Sequence, residues 1–208
     1  MNSRDRIYLS VVFLLLAGSW NVQAERKSQN VILVTLDGLR WQELFSGAER
    51  KLISRDGGGV KDTAQTLKRF WREDPVERRQ ALMPFFWSVI ARQGQVYGDP
   101  GSDSKIRVTN GLYFSYPGYN EILSGVADPK VNSNDKKYNR NVTVLEWLAK
   151  KPAFQGKVGA FASWDVFPFI INTQRSGVPV NAGWQPLEET SPQIKQLNQV
   201  ASSLPRYW

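Results

Sequence analysis

Two side chains in this sequence stand where hydrolytic chemistry can be built. Asp37 directly follows the apolar run NVILVTL (residues 30–36) and precedes Gly38. A run of that kind reads as a strand buried on both faces, and open α/β sheets gather their ligands at the carboxyl ends of such strands. A carboxylate there can hold a divalent metal at short range; the competing role is a turn or cap Asp ahead of Gly. Ser115 stands between Phe114 and Tyr116, just before Pro117-Gly118. If residues 116–123 are helical, Ser115 lies at the helix N-terminus, where free backbone N–H groups and the positive end of the dipole face an anion. A hydroxyl in that place can attack phosphorus once a metal lowers its pKa. The competing role is a plain N-cap serine.

The elements that must carry these residues alternate. Residues 39–45 open a helix or a loop. Residues 46–80 look like an insertion, with Asp56-Gly57-Gly58-Gly59 as a flexible turn and 62–72 helical, Leu67, Phe70 and Trp71 sharing one side. Pro75 interrupts that helix. Pro84 starts another, with Phe85, Phe86, Val89 and Ile90 as its apolar face and Gly94 at its end. Residues 95–97 begin a short strand, and 105–109 alternate as a strand does. Asn110-Gly111 is a turn. The helix over 116–123 has Pro117 near its start and Gly125 past its end. Residues 126–141 form a polar loop, 142–150 a helix with Val144, Leu145 and Leu148 inward, and 157–162 a buried strand ending near Asp165, which reads as a cap or loop contact. The tail from Arg175 is loop-like, with 191–203 helical. This alternation predicts an α/β, three-layer αβα fold on a mostly parallel sheet.

Residues 1–24 are set apart. Arg4 and Arg6 precede an apolar run over 7–17, and Val22-Gln23-Ala24 fits a small-residue cleavage site. That is the layout of an export signal, its apolar core short of a comfortable span of roughly 20 residues, with an uncleaved anchor as the competing reading. The mature chain then covers 25–208 in the periplasm or outside the cell, without a stable membrane anchor.

Composition narrows the chemistry. The chain has 208 residues and neither Cys nor His, so disulfides, thiol nucleophiles, Cys-ligated zinc and imidazole general bases are excluded within it. Its formal charge is +8, but the basic residues are interleaved with acidic ones: Lys68, Arg69, Arg72, Arg78 and Arg79 lie among Glu73, Asp74 and Glu77. That pattern is a solvated mixed-charge surface rather than a nucleic-acid interface. Asn141-Val142-Thr143 is a glycosylation sequon in form only.

Three stretches, taken together, carry a resemblance. NVILVTLDGLRWQEL resembles the opening strand and first metal-ligand Asp of the type I phosphodiesterase/nucleotide pyrophosphatase branch of the alkaline phosphatase superfamily. FSYPGYNEILSG resembles the nucleophile segment of that branch, in which Thr or Ser precedes an aromatic residue and Pro, and a short helix ends in Thr-Gly or Ser-Gly. MPFFWSVIARQGQVYGD, between them, looks like the helix and following strand of that superfamily. The resemblance covers most of residues 30–165, in order. It implies that Asp37 ligates one zinc of a two-metal site, that Ser115 bridges to that metal and forms a phospho-enzyme intermediate, and that a second metal activates the water releasing phosphate. It also implies an Asn beyond the nucleophile helix that holds the transferred group; Asn134 matches, with Asn132 competing. Asn110 is a further polar group close to Ser115 in sequence.

The departures are as informative. The sulfatase pattern requires Arg where Tyr119 stands, so phosphoryl chemistry is favoured over sulfuryl. The family's remaining Asp and His ligands belong to a C-terminal half that this sequence does not match. One Asp and one Ser do not hold two zinc ions, so the 208-residue chain by itself is expected to be inactive, and half a sheet leaves apolar edges uncovered. The leading reading is the N-terminal portion of an exported, metal-dependent phosphatase or phosphodiesterase acting on a small phosphate ester. The alternatives are a non-catalytic anion-binding module and an interaction subunit completed by a C-terminal half or partner chain.

Overall fold

The computed structural model describes residues 28–204. The export signal predicted over 1–24 lies outside the described residues. By backbone proximity the chain divides into two units, Met1–Leu36 and Asp37–Trp208. In the first, residues 28–36 form neither helix nor strand, and Val31, Ile32 and Val34 are 90%, 85% and 73% exposed. The strand predicted over 30–36 is therefore a correction. A strand is a pairing as much as a conformation, and among the described residues nothing takes up this segment's backbone hydrogen bonds.

The second unit is mostly helical. In chain order its first elements are α1 (Trp41–Ser46), a 3₁₀ turn (Arg50–Leu52), α2 (Arg55–Gly58), α3 (Thr63–Phe70) and α4 (Pro75–Leu82). A π-helical stretch (Phe86–Ile90) then runs into α5 (Ala91–Gln93). The presumed flexible turn at 56–59 is a helical turn, because Ser54 Oγ accepts from Gly57 N at 2.9 Å and caps it. Pro75 does not merely interrupt a helix. It starts α4, preceded by Asp74, whose carboxylate accepts from Glu77 N at 2.9 Å. Asp62 caps α3 in the same way. α1 and α4 lie close together: Arg78 Nε donates to Ser46 O at 2.8 Å, and Gly47, at φ +78°, lets the two backbones meet where a Cβ would lie 2.5 Å from Arg78 C.

The second half holds α6 (Ser115–Ser124), α7 (Val144–Ala149), a 3₁₀ turn (Pro152–Phe154), β1 (Ala160–Ala162), α8 (Phe167–Ile170), α9 (Thr173–Ser176), β2 (Val180–Ala182) and α10 (Pro192–Ser203). Its core is Tyr116, Tyr119 and Leu123 of α6 against Val166, Ile170, Ile171 and Val178. Full burial of a side chain such as Ile170 contributes about 1.5–3 kcal/mol. β1 and β2 pair in parallel, Ala160 opposite Val180 and Ala162 opposite Ala182, with α8 and α9 between them in the chain. Among the described residues this βαβ unit is the whole sheet. The strands predicted over 95–97 and 105–109 do not form, and Ile106 is 72% exposed. The strand predicted over 157–162 is shorter and exposed on one face, since Phe161 is turned outward. β2 lies in a stretch read as loop. Val144, expected inward, is exposed; α7 instead buries Glu146.

Gly125 closes α6 in the left-handed region at φ +71°, its N–H donating to Glu121 O at 2.8 Å. A Cβ there meets nothing within 4 Å, so Gly125→Ala tests backbone strain alone. We expect a loss of about 1 kcal/mol in urea unfolding; an unchanged midpoint would mean that the αL cap can relax.

Among the described residues no helix is long and apolar enough to cross a membrane.

Candidate functional site

Ser115 is the first residue of α6, and the residue at the cap position is Phe114, which offers no side-chain hydrogen bond. The competing role of N-cap serine is thus not the one Ser115 fills. Its hydroxyl has no hydrogen-bond partner among the described residues, and the side chain is half-buried. The cap is supplied from elsewhere. Asn134, eighteen residues on in the 126–141 loop, accepts from Tyr116 N through its Oδ1 at 3.0 Å. The structure therefore brings Asn134 to the residue next to Ser115. Asn132 has no such bond among the described residues.

This cap changes the expected anion cradle. Of the first N–H groups of α6, that of Tyr116 is taken by Asn134 and that of Gly118 reaches Phe114 O at 3.3 Å. Pro117 has none. Ser115 N–H is the one left without a partner among the described residues, where several were expected. The groups that remain at the helix tip are Ser115 N–H, Ser115 Oγ and the Asn134 amide Nδ2, which also has no acceptor among the described residues. Together they offer two donors and one hydroxyl to a tetrahedral anion at the positive end of a ten-residue helix.

The 126–141 loop is held against α6 by buried polar groups. Tyr116 O–H donates to Lys137 O at 2.6 Å and to Phe169 O at 3.1 Å. Burial pushes its phenol up to about 12, so it remains a neutral donor. Asn120 and Asn139, each 1% exposed, join through Asn139 Nδ2 and Asn120 Oδ1 at 3.0 Å, and Asn141 Nδ2 reaches the same oxygen at 3.0 Å. Asn172 Nδ2 donates to Asn139 O at 2.8 Å. Below them the Glu146 carboxylate, fully buried, accepts from Arg175 Nε at 3.0 and 3.1 Å, from Arg175 Nη2 at 2.8 Å and from Lys150 Nζ at 2.7 Å. Arg175 also donates to Asn139 O and Asn141 O. The Arg175 hydrogen bonds hold the Glu146 carboxyl below its ordinary range, against the opposing effect of burial.

The other predicted residues are placed differently. Asn110 is a turn residue: its Oδ1 accepts from Leu112 N at 2.7 Å, and its N–H and Nδ2 donate to Glu121 at 3.1 and 2.8 Å. Its Oδ1 and one of its Nδ2 protons are thus engaged within the chain, which gives Asn110 a structural role in the turn. Asp165 pairs with Lys136 at 2.5 Å on the surface. Asp37 lies in an exposed turn with Gly38, and no hydrogen bond or ion pair holds its carboxylate among the described residues.

No protein-family model matches this chain, and no curated protein or solved structure matches it either. The residues at the site therefore speak on their own chemistry. They do not fit a resident metal pair. Among the described residues no group of three or more acidic, His or Cys side chains is placed to hold an ion. Asp37 and Ser115 supply oxygen donors only, and a closed zinc site needs four ligands.

The polar network was missed in the sequence, although a signal for it exists. Thr143-x-x-Glu146 has the form of a capping box, and Thr143 does accept from Glu146 N at 3.2 Å. The Glu side chain turns instead to Arg175, twenty-nine residues away.

The two functions of the Asn134 amide can be separated. Asn134→Ala should destabilise the chain by about 1 kcal/mol through loss of the cap. Asn134→Asp keeps an acceptor at Oδ and should retain that stability, yet it loses the Nδ2 donor and adds repulsion, so phosphate binding should fall by about tenfold or more. Thermal melts and phosphate titrations of both variants check this; parallel behaviour of the two would mean that Asn134 is a cap and nothing further.

Proposed function

We propose that this chain is the nucleophile-bearing portion of an exported, metal-dependent hydrolase of small phosphate esters, a phosphatase or phosphodiesterase of the alkaline phosphatase superfamily type, on a three-layer αβα fold. The observation that supports it is the tip of α6. An uncommitted serine hydroxyl, an uncommitted backbone N–H on the same residue and an amide donor from a distant loop converge there. In this reading Ser115 Oγ attacks phosphorus, the bond to the ester oxygen breaking as the Oγ–P bond forms and the serine proton leaving with the alcohol product, while Ser115 N–H and Asn134 Nδ2 donate to the nonbridging oxygens of the transferred group.

Two zinc ions and the ligand role of Asp37 come from the resemblance alone, and no step is assigned to them. The donors present require further Asp and His ligands from a C-terminal half or a partner chain, so the chain by itself should turn over no ester. The test is covalent trapping: the chain, alone and combined with a complementing ligand-bearing chain, is incubated with zinc and a nitrophenyl phosphate, quenched in acid and mapped by mass spectrometry. Phosphoserine at Ser115 in the combined sample supports the reading. Zinc-dependent turnover with the phosphate found on another residue sinks it.

A second reading is an interaction subunit, favoured by the exposure of Val31, Ile32, Val34 and Leu36. It predicts a stable complex with a chain carrying Asp and His ligands and no phosphorylated Ser115. A third, a non-catalytic anion-binding module, predicts a soluble monomer that binds phosphate without zinc.

A further inference from the structure

A cavity of about 400 Å³ opens beside α1, the 3₁₀ turn Arg50–Leu52 and α4, and it shares no residue with the tip of α6. Its wall carries three guanidinium groups, from Arg40, Arg50 and Arg78, against one carboxylate, Glu49. The three cations are not equivalent. Arg40 is neutralised: its Nε meets both oxygens of Glu43 at 3.1 and 3.0 Å, and its Nη2 meets Glu49 at 2.7 Å. Arg78 has no carboxylate partner. Its Nε donates to Ser46 O at 2.8 Å and its Nη1 to Arg72 O at 2.9 Å and Glu73 O at 3.2 Å, which leaves Nη2 uncommitted. Arg50 has neither an ion pair nor a side-chain hydrogen bond among the described residues.

Both guanidinium groups lie over one ring. The guanidinium carbon of Arg78 is 4.5 Å and that of Arg50 5.3 Å from the centroid of Trp71. The indole is itself oriented, because its N–H donates to Glu73 Oε1 at 3.1 Å. An aromatic face fixes the plane of a guanidinium and leaves its N–H edge free for a bidentate contact. Two planar cations, neither in an ion pair among the described residues, are brought to one ring in a cavity of small-molecule size, where Glu49 is held by Arg40 and Glu73 by the indole N–H, and they suit a dianion. A carboxylate brings one charge and two oxygens. A phosphoryl group brings two charges and three terminal oxygens, enough for the Arg50 fork and the single free Nη2 of Arg78.

We propose that this cavity binds a small dianionic phosphate monoester, its phosphoryl group held by Arg50 and Arg78 against Trp71. The site is separate from the Ser115 reading and stands if that reading falls.

The test is calorimetric titration of the chain with glycerol 3-phosphate, and with glycerol as the uncharged control. Wild type should show a saturable site for the phosphate that depends on Arg50, and none for glycerol. Arg50→Ala should weaken binding by about tenfold or more, since a charge-assisted contact is lost. Arg50→Lys keeps the charge without the fork and should fall between them. Lys195→Ala, on α10 and outside both the cavity and the tip of α6, should bind like wild type. Arg50 is exposed, so its variants should melt with wild type; if Arg50→Ala does not, Arg50→Lys and Trp71→Leu carry the test. Absence of saturable binding to wild type overturns the proposal. So does binding that survives Arg50→Ala and is lost in Asn134→Ala, which would move the anion to the tip of α6.

Discussion

Replacing Arg175 with Ala should destabilise the chain by about 3–5 kcal/mol, the cost of stranding a buried carboxylate. Glu146 is fully buried and takes three of its four hydrogen bonds to charged groups from Arg175. The remaining partner, Lys150, reaches it from an exposed position one helical turn away. Arg175→Ala also removes its hydrogen bonds to the carbonyls of Asn139, Arg140 and Asn141, which leaves Asn172 Nδ2 on Asn139 O to tie the 126–141 loop to the start of α9. Against a total stability of about 5–15 kcal/mol, this loss is visible in any urea titration. Arg175→Lys keeps the charge but not the fork, and should recover part of it. Replacing both members of the pair with apolar residues of similar volume should cost much less than removing Arg175 alone. A loss under about 1 kcal/mol in Arg175→Ala would show that Lys150 suffices.

The same pair sets an acid dependence. The folded Glu146 carboxyl is held below its ordinary range, first by Arg175. Its contribution is fully present above the unfolded value near 4.3 and is lost as pH falls through the lower folded value. In Arg175→Ala the carboxyl loses its main stabilising partner while burial continues to raise it. The stability gap between variant and wild type should therefore be widest near neutrality and narrow below about pH 4. A gap that is constant with pH would assign the effect of Arg175 to its carbonyl contacts.

On the proposed function, Ser115→Ala should reduce phosphoryl transfer by the complemented chain on the order of 10⁴-fold or more, because loss of the proposed nucleophile removes the covalent step itself. Its effect on stability should be small, since Ser115 Oγ makes no hydrogen bond among the described residues and the cap of α6 comes from Asn134. That contrast separates a nucleophile from a helix cap: a cap serine loses about 1 kcal/mol of stability on substitution and no activity beyond it. Substrate binding by Ser115→Ala should be nearly intact, because the Ser115 N–H and the Asn134 amide remain. Turnover that survives the substitution would move the nucleophile elsewhere.

Local signals in the sequence determined the helices. Asp62, Asp74, Ser54 and Ser191 each precede a run that their side chains cap, and Gly125 follows one that needs an αL residue, so the start or end of each helix is written within four residues. The helix carrying Ser115 was legible for that reason, as was the placement of Ser115 in its first turn. The apolar runs over 30–36 and 105–109 were legible as strands only in pattern. Alternation records which faces can be buried, but a strand exists when a neighbour takes its hydrogen bonds, and that neighbour is set by the rest of the fold. β2 was hidden for the converse reason, its three residues becoming a strand by lying beside β1.

Tertiary structure alone decided the site. It gave the Tyr116 N–H to Asn134, which reduced the expected cradle of several N–H groups to one and supplied an amide in their place. It engaged both ends of the Asn110 amide in a turn. It paired Glu146 with Arg175 across twenty-nine residues, where the local Thr-x-x-Glu pattern pointed back to the helix start. Each outcome turns on a choice between partners close in sequence and partners far away. For Glu146, fully buried, burial settles that choice, because a polar group removed from water must bond to whatever the fold has placed beside it.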